Sequence, residues 1–135
     1  MDDNRITVYI IDDNEMARSL LHMIVQGEQF NVIGSAAGAA SGLAGALALR
    51  PDIVCLDIQM PDGDGLDLLE TFSRRLPRTV VLMVTACNDV TSVQAAFKRG
   101  AKGFILKPFT SGTVLDKLET AAKLLAAPSG GGARG

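Results

Sequence analysis

Short apolar runs alternate with segments whose apolar residues recur every three or four positions, and the alternation repeats five times along the chain. Ile6 to Ile11 is apolar and β-branched and reads as a strand. From Glu15 the period changes. Ala17, Leu20, Leu21 and Ile24 share one helix face, Arg18, Ser19 and His22 turn to water, Asn14 or Asp13 caps the start and Gly27 fits the end. Asn31 to Ser35 is a short strand, and Ala37 to Leu49 a helix with Leu43 and Leu47 on one side. No charged residue occurs between Asn31 and Leu49, and Gly42 and Gly45 each cost that helix about 1 kcal/mol against alanine. The pattern reads as drift on a tolerant surface helix with an outer face of Ala, Gly and Ser.

Ile53 to Leu56 is unbroken apolar sequence between Pro51 and a turn rich in Pro, Asp and Gly, as suits a strand covered on both faces. Gly65 to Arg75 is a helix through Leu66, Leu68, Leu69 and Phe72, stopped by Pro77. Thr79 to Val84 is a strand. Asn88 or Asp89 caps a helix carrying Val93, Ala96 and Phe97, and Arg99-Gly100 ends it. Gly103 to Leu106 is the last strand, and Ser111 caps a final amphipathic helix through Val114, Leu115, Leu118, Ala122 and Leu125.

Strand and helix in strict alternation predict an α/β fold: a doubly wound, five-stranded parallel sheet with helices on both faces and right-handed crossovers. All five strands then end along one edge, where open sheets of this kind hold their ligands. Those ends read Asp12-Asp13, an uncharged stretch, Asp57, Thr85 and Lys107.

Three carboxylates at one edge repel each other, and a divalent cation relieves the repulsion. Hard oxygen ligands favour Mg2+ over zinc or copper. An aspartate beside Mg2+ is a competent nucleophile toward a phosphoryl group, with the ion, a lysine and a threonine hydroxyl meeting the phosphoryl oxygens. No Gly-x-x-x-x-Gly-Lys loop is present, so the phosphoryl donor comes from elsewhere.

The acid pair, the Asp57-x-x-Met60-Pro61-x-x-Asp64-Gly65 segment, Thr85 and Lys107-Pro108, in this register over about residues 5 to 126, resemble a response-regulator receiver domain (CheY-like) of two-component signal transduction. The resemblance implies a flavodoxin-like sheet with strand order 2-1-3-4-5. It implies Mg2+ held by Asp12, Asp13, Asp57 and the backbone carbonyl of Gln59. Asp57 is then the phosphoacceptor, Thr85 and Lys107 contact the phosphoryl group, and Thr85 and Phe104 form the switch. Phe104 lacks the hydroxyl of the tyrosine often found there. The implied partner is a histidine kinase or histidine phosphotransfer protein; the solvent side of the first helix, Asn14, Glu15, Arg18 and His22, borders the acid pair and is its expected docking face. Phosphorylation then changes affinity for a downstream protein. Such a domain assists its own phosphorylation and dephosphorylation and has no independent substrate, so it is not an enzyme in the usual sense. Gln59 and Cys87 flank the path of the hydrolytic water, with Gln59 the better placed to orient it.

Charge and composition narrow the partners. A net charge of -2 gives no basic field for direct nucleic-acid binding, and no apolar run approaches the about 20 residues of a membrane span. The start, Met1 to Arg5, is polar and acidic rather than a signal peptide, and Cys55 and Cys87 lack metal-ligand spacing, so a cytoplasmic location is expected. The expected organisation is a receiver over residues 1–127 and a flexible Gly-rich tail over 128–135.

Four alternatives have sequence counterparts. A flavodoxin-like cofactor module needs a phosphate loop after the first strand and aromatics at the ring, but two acids stand in that loop and Tyr9 is the sole tyrosine. An aspartate phosphatase wants a second acid two residues past its nucleophile, where Gln59 stands. Asp62-Gly63-Asp64-Gly65 has the look of a calcium loop without the downstream glutamate, and reads as a turn. Finally, the tail is a plausible linker to a C-terminal output domain of a larger regulator.

Overall fold

The computed structural model describes residues 4–126; the expected tail lies outside the described residues. Five strands form a parallel sheet: β1 (Ile6–Ile11), β2 (Phe30–Ala36), β3 (Ile53–Leu56), β6 (Val80–Thr85) and β7 (Gly103–Leu106). Two short strands, β4 (Gln59–Met60) and β5 (Gly63–Asp64), pair antiparallel in the turn after β3. The sheet order is β2-β1-β3-β6-β7, which is 2-1-3-4-5 once that hairpin is set aside. The hairpin corrects the expectation of a plain turn there: Gln59 faces Asp64 and Met60 faces Gly63.

Alternation along the strands builds two cores. Tyr9, Ile11, Val54, Leu56, Val81 and Met83 point to the face covered by α2 (Ala39–Leu49), α3 (Gly65–Arg75) and α4 (Val90–Arg99). Val8, Ile10, Ile53, Cys55, Leu82 and Val84 point to the face covered by α1 (Glu15–Val25) and α5 (Ser111–Ala126). Burial on both sides explains why β3 and β6 read as continuous apolar runs. Burial also pushes the Cys55 thiol up to about 12, so it stays a neutral core residue. No helix among the described residues is long and apolar enough to cross a membrane.

The glycines of α2 are not drift. A Cβ on Gly42 would lie 2.8 Å from Ile11 Cδ1, and one on Gly45 would run into the Tyr9 hydroxyl. Both face the sheet, and their small size lets α2 approach β1 closely; the water-facing residues are Ala40, Ser41, Ala44, Ala48 and Leu49. Helix ends differ in detail from expectation. Asn14 caps α1, accepting from the Ala17 N–H at 2.8 Å, and the helix closes at Gln26 rather than Gly27. Thr110, not Ser111, caps α5 through the Thr113 N–H.

Candidate functional site

Backbone pairing runs one residue past the strand ends and lines up the polar row. The Asp12 N–H donates to Ala36 O, the Asp57 N–H to Ile11 O and the Lys107 N–H to Thr85 O, each at 3.0 Å. Asp12 and Asp57 thus close the two neighbouring central strands, while Thr85 and Lys107 close the next two. Carboxylate oxygens of Asp12, Asp13 and Asp57 all lie within 4.8 Å of one another, with Asp12 and Asp57 buried and Asp13 exposed.

One ammonium serves this cluster. Lys107 Nζ is 2.7 Å from Asp12 Oδ2 and 3.2 Å from Asp57 Oδ2. Buried Asp12 Oδ2 has that ammonium beside it but no hydrogen-bond partner of good geometry among the described residues. Asp12 Oδ1 accepts the Asn14 N–H at 2.9 Å. Burial pushes the Asp12 carboxyl above its ordinary range, and Asp57 adds to that; Lys107 and the Asn14 N–H pull the other way without cancelling it. Burial also works against the Lys107 charge, but Asp12 and Asp57 outweigh it and hold the ammonium above its usual value.

Three carboxylates against one ammonium leave excess negative charge in a half-enclosed site. A small divalent cation with a taste for oxygen fits this donor set: an unaligned buried oxygen on Asp12, an exposed Asp13, and no sulfur or imidazole among the grouped ligands. Gln59 is adjacent, its N–H reaching Asp57 Oδ1 at a long 3.4 Å. Thr85 is buried, and its Oγ1 accepts the Cys87 N–H at 3.2 Å, leaving the hydroxyl hydrogen free to donate. Phe104 is half-buried, with its ring tilted against Phe97 at a centroid separation of 5.5 Å.

The sequence reading missed three contributors. Arg18, expected in water, is half-buried, and its Nη1 donates to Asp12 O at 2.8 Å. Side chains on a helix lean toward its N-terminus, which was the available signal. Asp64 caps α3 at the Leu66 N–H (2.8 Å), and Asp62 accepts from Ala39 and Ala40 of α2. Both acids of the Asp62-Gly63-Asp64-Gly65 segment are therefore helix caps.

These strand-end residues fall inside the match, over residues 8–119, to the family described as Response regulator receiver domain. The chain belongs to that family. This receiver is 37% identical to the chemotaxis protein CheY of Listeria monocytogenes over 118 residues, 87% of this chain and 99% of that one. It is 31% identical to the nitrate/nitrite response regulator NarL of Escherichia coli, covering 86% of this chain and 54% of that protein. It superposes on a chain of the crystal structure of the CheX–CheY–BeF3–Mg2+ complex from Borrelia burgdorferi with a TM-score of 0.83 at 30% identity, covering 87% of this chain and 89% of that one. The receiver spans nearly all of one relative and about half of another. Its homology to CheY and other response regulators fits a phosphoacceptor in two-component signalling. Receivers bind Mg2+ at an acidic pocket, and this chain brings the carboxylates of Asp12, Asp13 and Asp57 together.

Proposed function

We propose that Asp57 is the phosphoacceptor of this receiver and takes its phosphoryl group from a phosphohistidine on a histidine kinase or histidine phosphotransfer protein. The supporting observation is the meeting of Asp12, Asp13, Asp57 and Lys107 at one sheet edge, with Lys107 in contact with two carboxylates. Asp12, Asp13, Asp57 and the Gln59 carbonyl are the proposed Mg2+ ligands. The ion, when bound, supplies positive charge to the phosphoryl oxygens.

Asp57 Oδ attacks phosphorus in line; the P–N bond to the donor histidine breaks as the P–O bond forms, and the imidazole leaves with its electron pair. Lys107 is already held beside Asp57, so it meets a phosphoryl oxygen without being recruited. The Thr85 hydroxyl turns its free hydrogen to another oxygen. Phe104 then leaves Phe97 for the space behind Thr85, which changes the α4–β7–α5 surface. The donor approaches over α1, where Asn14, Met16, Ala17 and Leu20 border a groove that also holds Lys107 and Phe109. Arg18 is less available to the donor than expected, because it is bound to Asp12 O. In dephosphorylation Gln59, exposed at the cleft it shares with Cys87, orients water better than Cys87, whose thiol is already donating to Asp89 at 3.0 Å. The reading carries no independent substrate, no direct nucleic-acid contact, no membrane contact, and a cytoplasmic setting.

Borohydride trapping tests the assignment. After incubation with acetyl phosphate and Mg2+, reduction of an aspartyl phosphate yields homoserine, and peptide mapping should find it at position 57 alone. Homoserine at another position, or none at 57, would sink the assignment.

A further inference from the structure

The hairpin that follows Asp57 is fastened at two points. Its root is the bond from the Gly65 N–H to Ile58 O, at 2.6 Å. Its tip is fastened to α2. Asp62 Oδ1 accepts the Ala39 N–H at 2.7 Å and Oδ2 accepts the Ala40 N–H at 3.1 Å. These two bonds hold the Asp62 carboxyl below its ordinary range although it is exposed. The contact is close enough that a Cβ on Gly63 would lie 2.8 Å from Ala39 Cβ.

α2 depends on this arrangement. Its own N-cap residue is Gly38, which offers no side-chain bond, and a Cβ there would meet Asp62 Oδ1 at 2.8 Å. The cap therefore comes from another part of the fold, and the segment supplying it carries Gln59. A local cap such as Asn14 on α1 stabilises only its own helix. A cap 23 residues away in sequence also restrains the segment that provides it.

We propose that Asp62 is a positioning residue for the phosphoacceptor site: by capping α2 across the fold, it holds the Gln59–Asp64 hairpin, and with it the Gln59 carbonyl, against Asp57. This rests on the reading of the site as an Mg2+-dependent phosphoacceptor. Asp62 touches neither ion nor phosphoryl group and acts only through the hairpin. Outer partners of metal ligands typically change affinity by 10- to 100-fold, and the low end applies where three carboxylates also hold the ion.

The test separates the helix from the hairpin. In Asp62→Ala, Mg2+ affinity measured by calorimetry should fall about 10-fold, and the Ala39 and Ala40 amides should exchange faster. Adding Gly38→Ser gives α2 its own cap in the space Asp62 vacates, on a backbone already extended at Gly38 (φ -151°, ψ 175°). That double variant should recover amide protection in α2 but not Mg2+ affinity. Asp62→Asn, which keeps an acceptor for the Ala39 N–H without the charge, should lose less than Asp62→Ala. Recovery of both properties in the double variant would make Asp62 a helix cap only. Affinity in Asp62→Ala within about twofold of wild type, outside the expected range, would also overturn the proposal, as would equal losses in Asn and Ala. If α2 stays frayed in the double variant, exchange of the Gly65 amide decides: faster in Asp62→Ala supports the tether, unchanged refutes it. A wild-type protein that binds no Mg2+ would sink the phosphoacceptor reading together with this one.

Discussion

The two ends of the sheet both carry aspartates near β3, and they are treated in opposite ways. At the N-terminal end, Asp52 Oδ2 accepts from the Thr7 N–H (2.9 Å) and the Thr7 hydroxyl (3.1 Å), and the Asp52 N–H donates back to Thr7 Oγ1 (2.9 Å). Thr79 Oγ1 and the Val80 N–H close the remaining carbonyls of Pro51 and Asp52. At the C-terminal end, Asp12 and Asp57 share one ammonium with Asp13 beside them, and a buried oxygen of Asp12 has no hydrogen-bond partner among the described residues. One end is closed and stabilises the fold. The other is left open, at a cost in stability, and that opening is where we propose that an ion and a phosphoryl group are held.

Three perturbations act on this contrast. The largest effect should come from Mg2+, which by this proposal fills the open end and has nothing to fill at the closed one. At 100 times its Kd it should stabilise the fold by about 2.7 kcal/mol in urea melts, and Asp13→Ala should remove most of that gain. No stabilisation by Mg2+ would mean that the acidic end is not a metal site. Next, Asp52→Ala strands the partly buried Thr7 N–H and should cost about 2 kcal/mol while leaving acetyl phosphate labelling intact. A loss of labelling in a folded Asp52→Ala protein would show that the two ends are coupled.

The smallest effect concerns Asp12 without metal. Burial raises its folded pKa above the unfolded value, so the folded state holds that proton more tightly. The associated stability is fully present below the ordinary value of 3.8 and is lost as pH rises through the folded one. In EDTA at neutral pH, Asp12→Asn should therefore melt about 2–4 °C higher than wild type, equivalent to ~1 kcal/mol, and the gap should close as pH falls. A lower Tm for Asp12→Asn at neutral pH would place the Lys107 pairing above desolvation.

What was legible in the chain follows the same division. The polar row at the strand ends could be read because alternation of strand and helix forces all five ends to one edge, and Asp12, Asp57, Thr85 and Lys107 each follow an apolar run directly. Contacts between segments distant in sequence were not legible. Asp62 and Ala39 are 23 residues apart, and no local pattern announces a cap supplied across the fold. Gly42 and Gly45 look like weak helix sequence until Ile11 and Tyr9 are placed beneath them. Arg18 lies between these cases. Its charge suggested water, while the lean of helical side chains toward the N-terminus carries it back to the Asp12 carbonyl.

The open end is proposed to serve the phosphorylation of Asp57. Intact mass after incubation with acetyl phosphate decides this, on wild type with Mg2+, on wild type with EDTA, and on Asp57→Asn with Mg2+. Wild type with Mg2+ should gain one phosphoryl group, and the other two samples none. The same gain in Asp57→Asn, or in EDTA, would contradict the account.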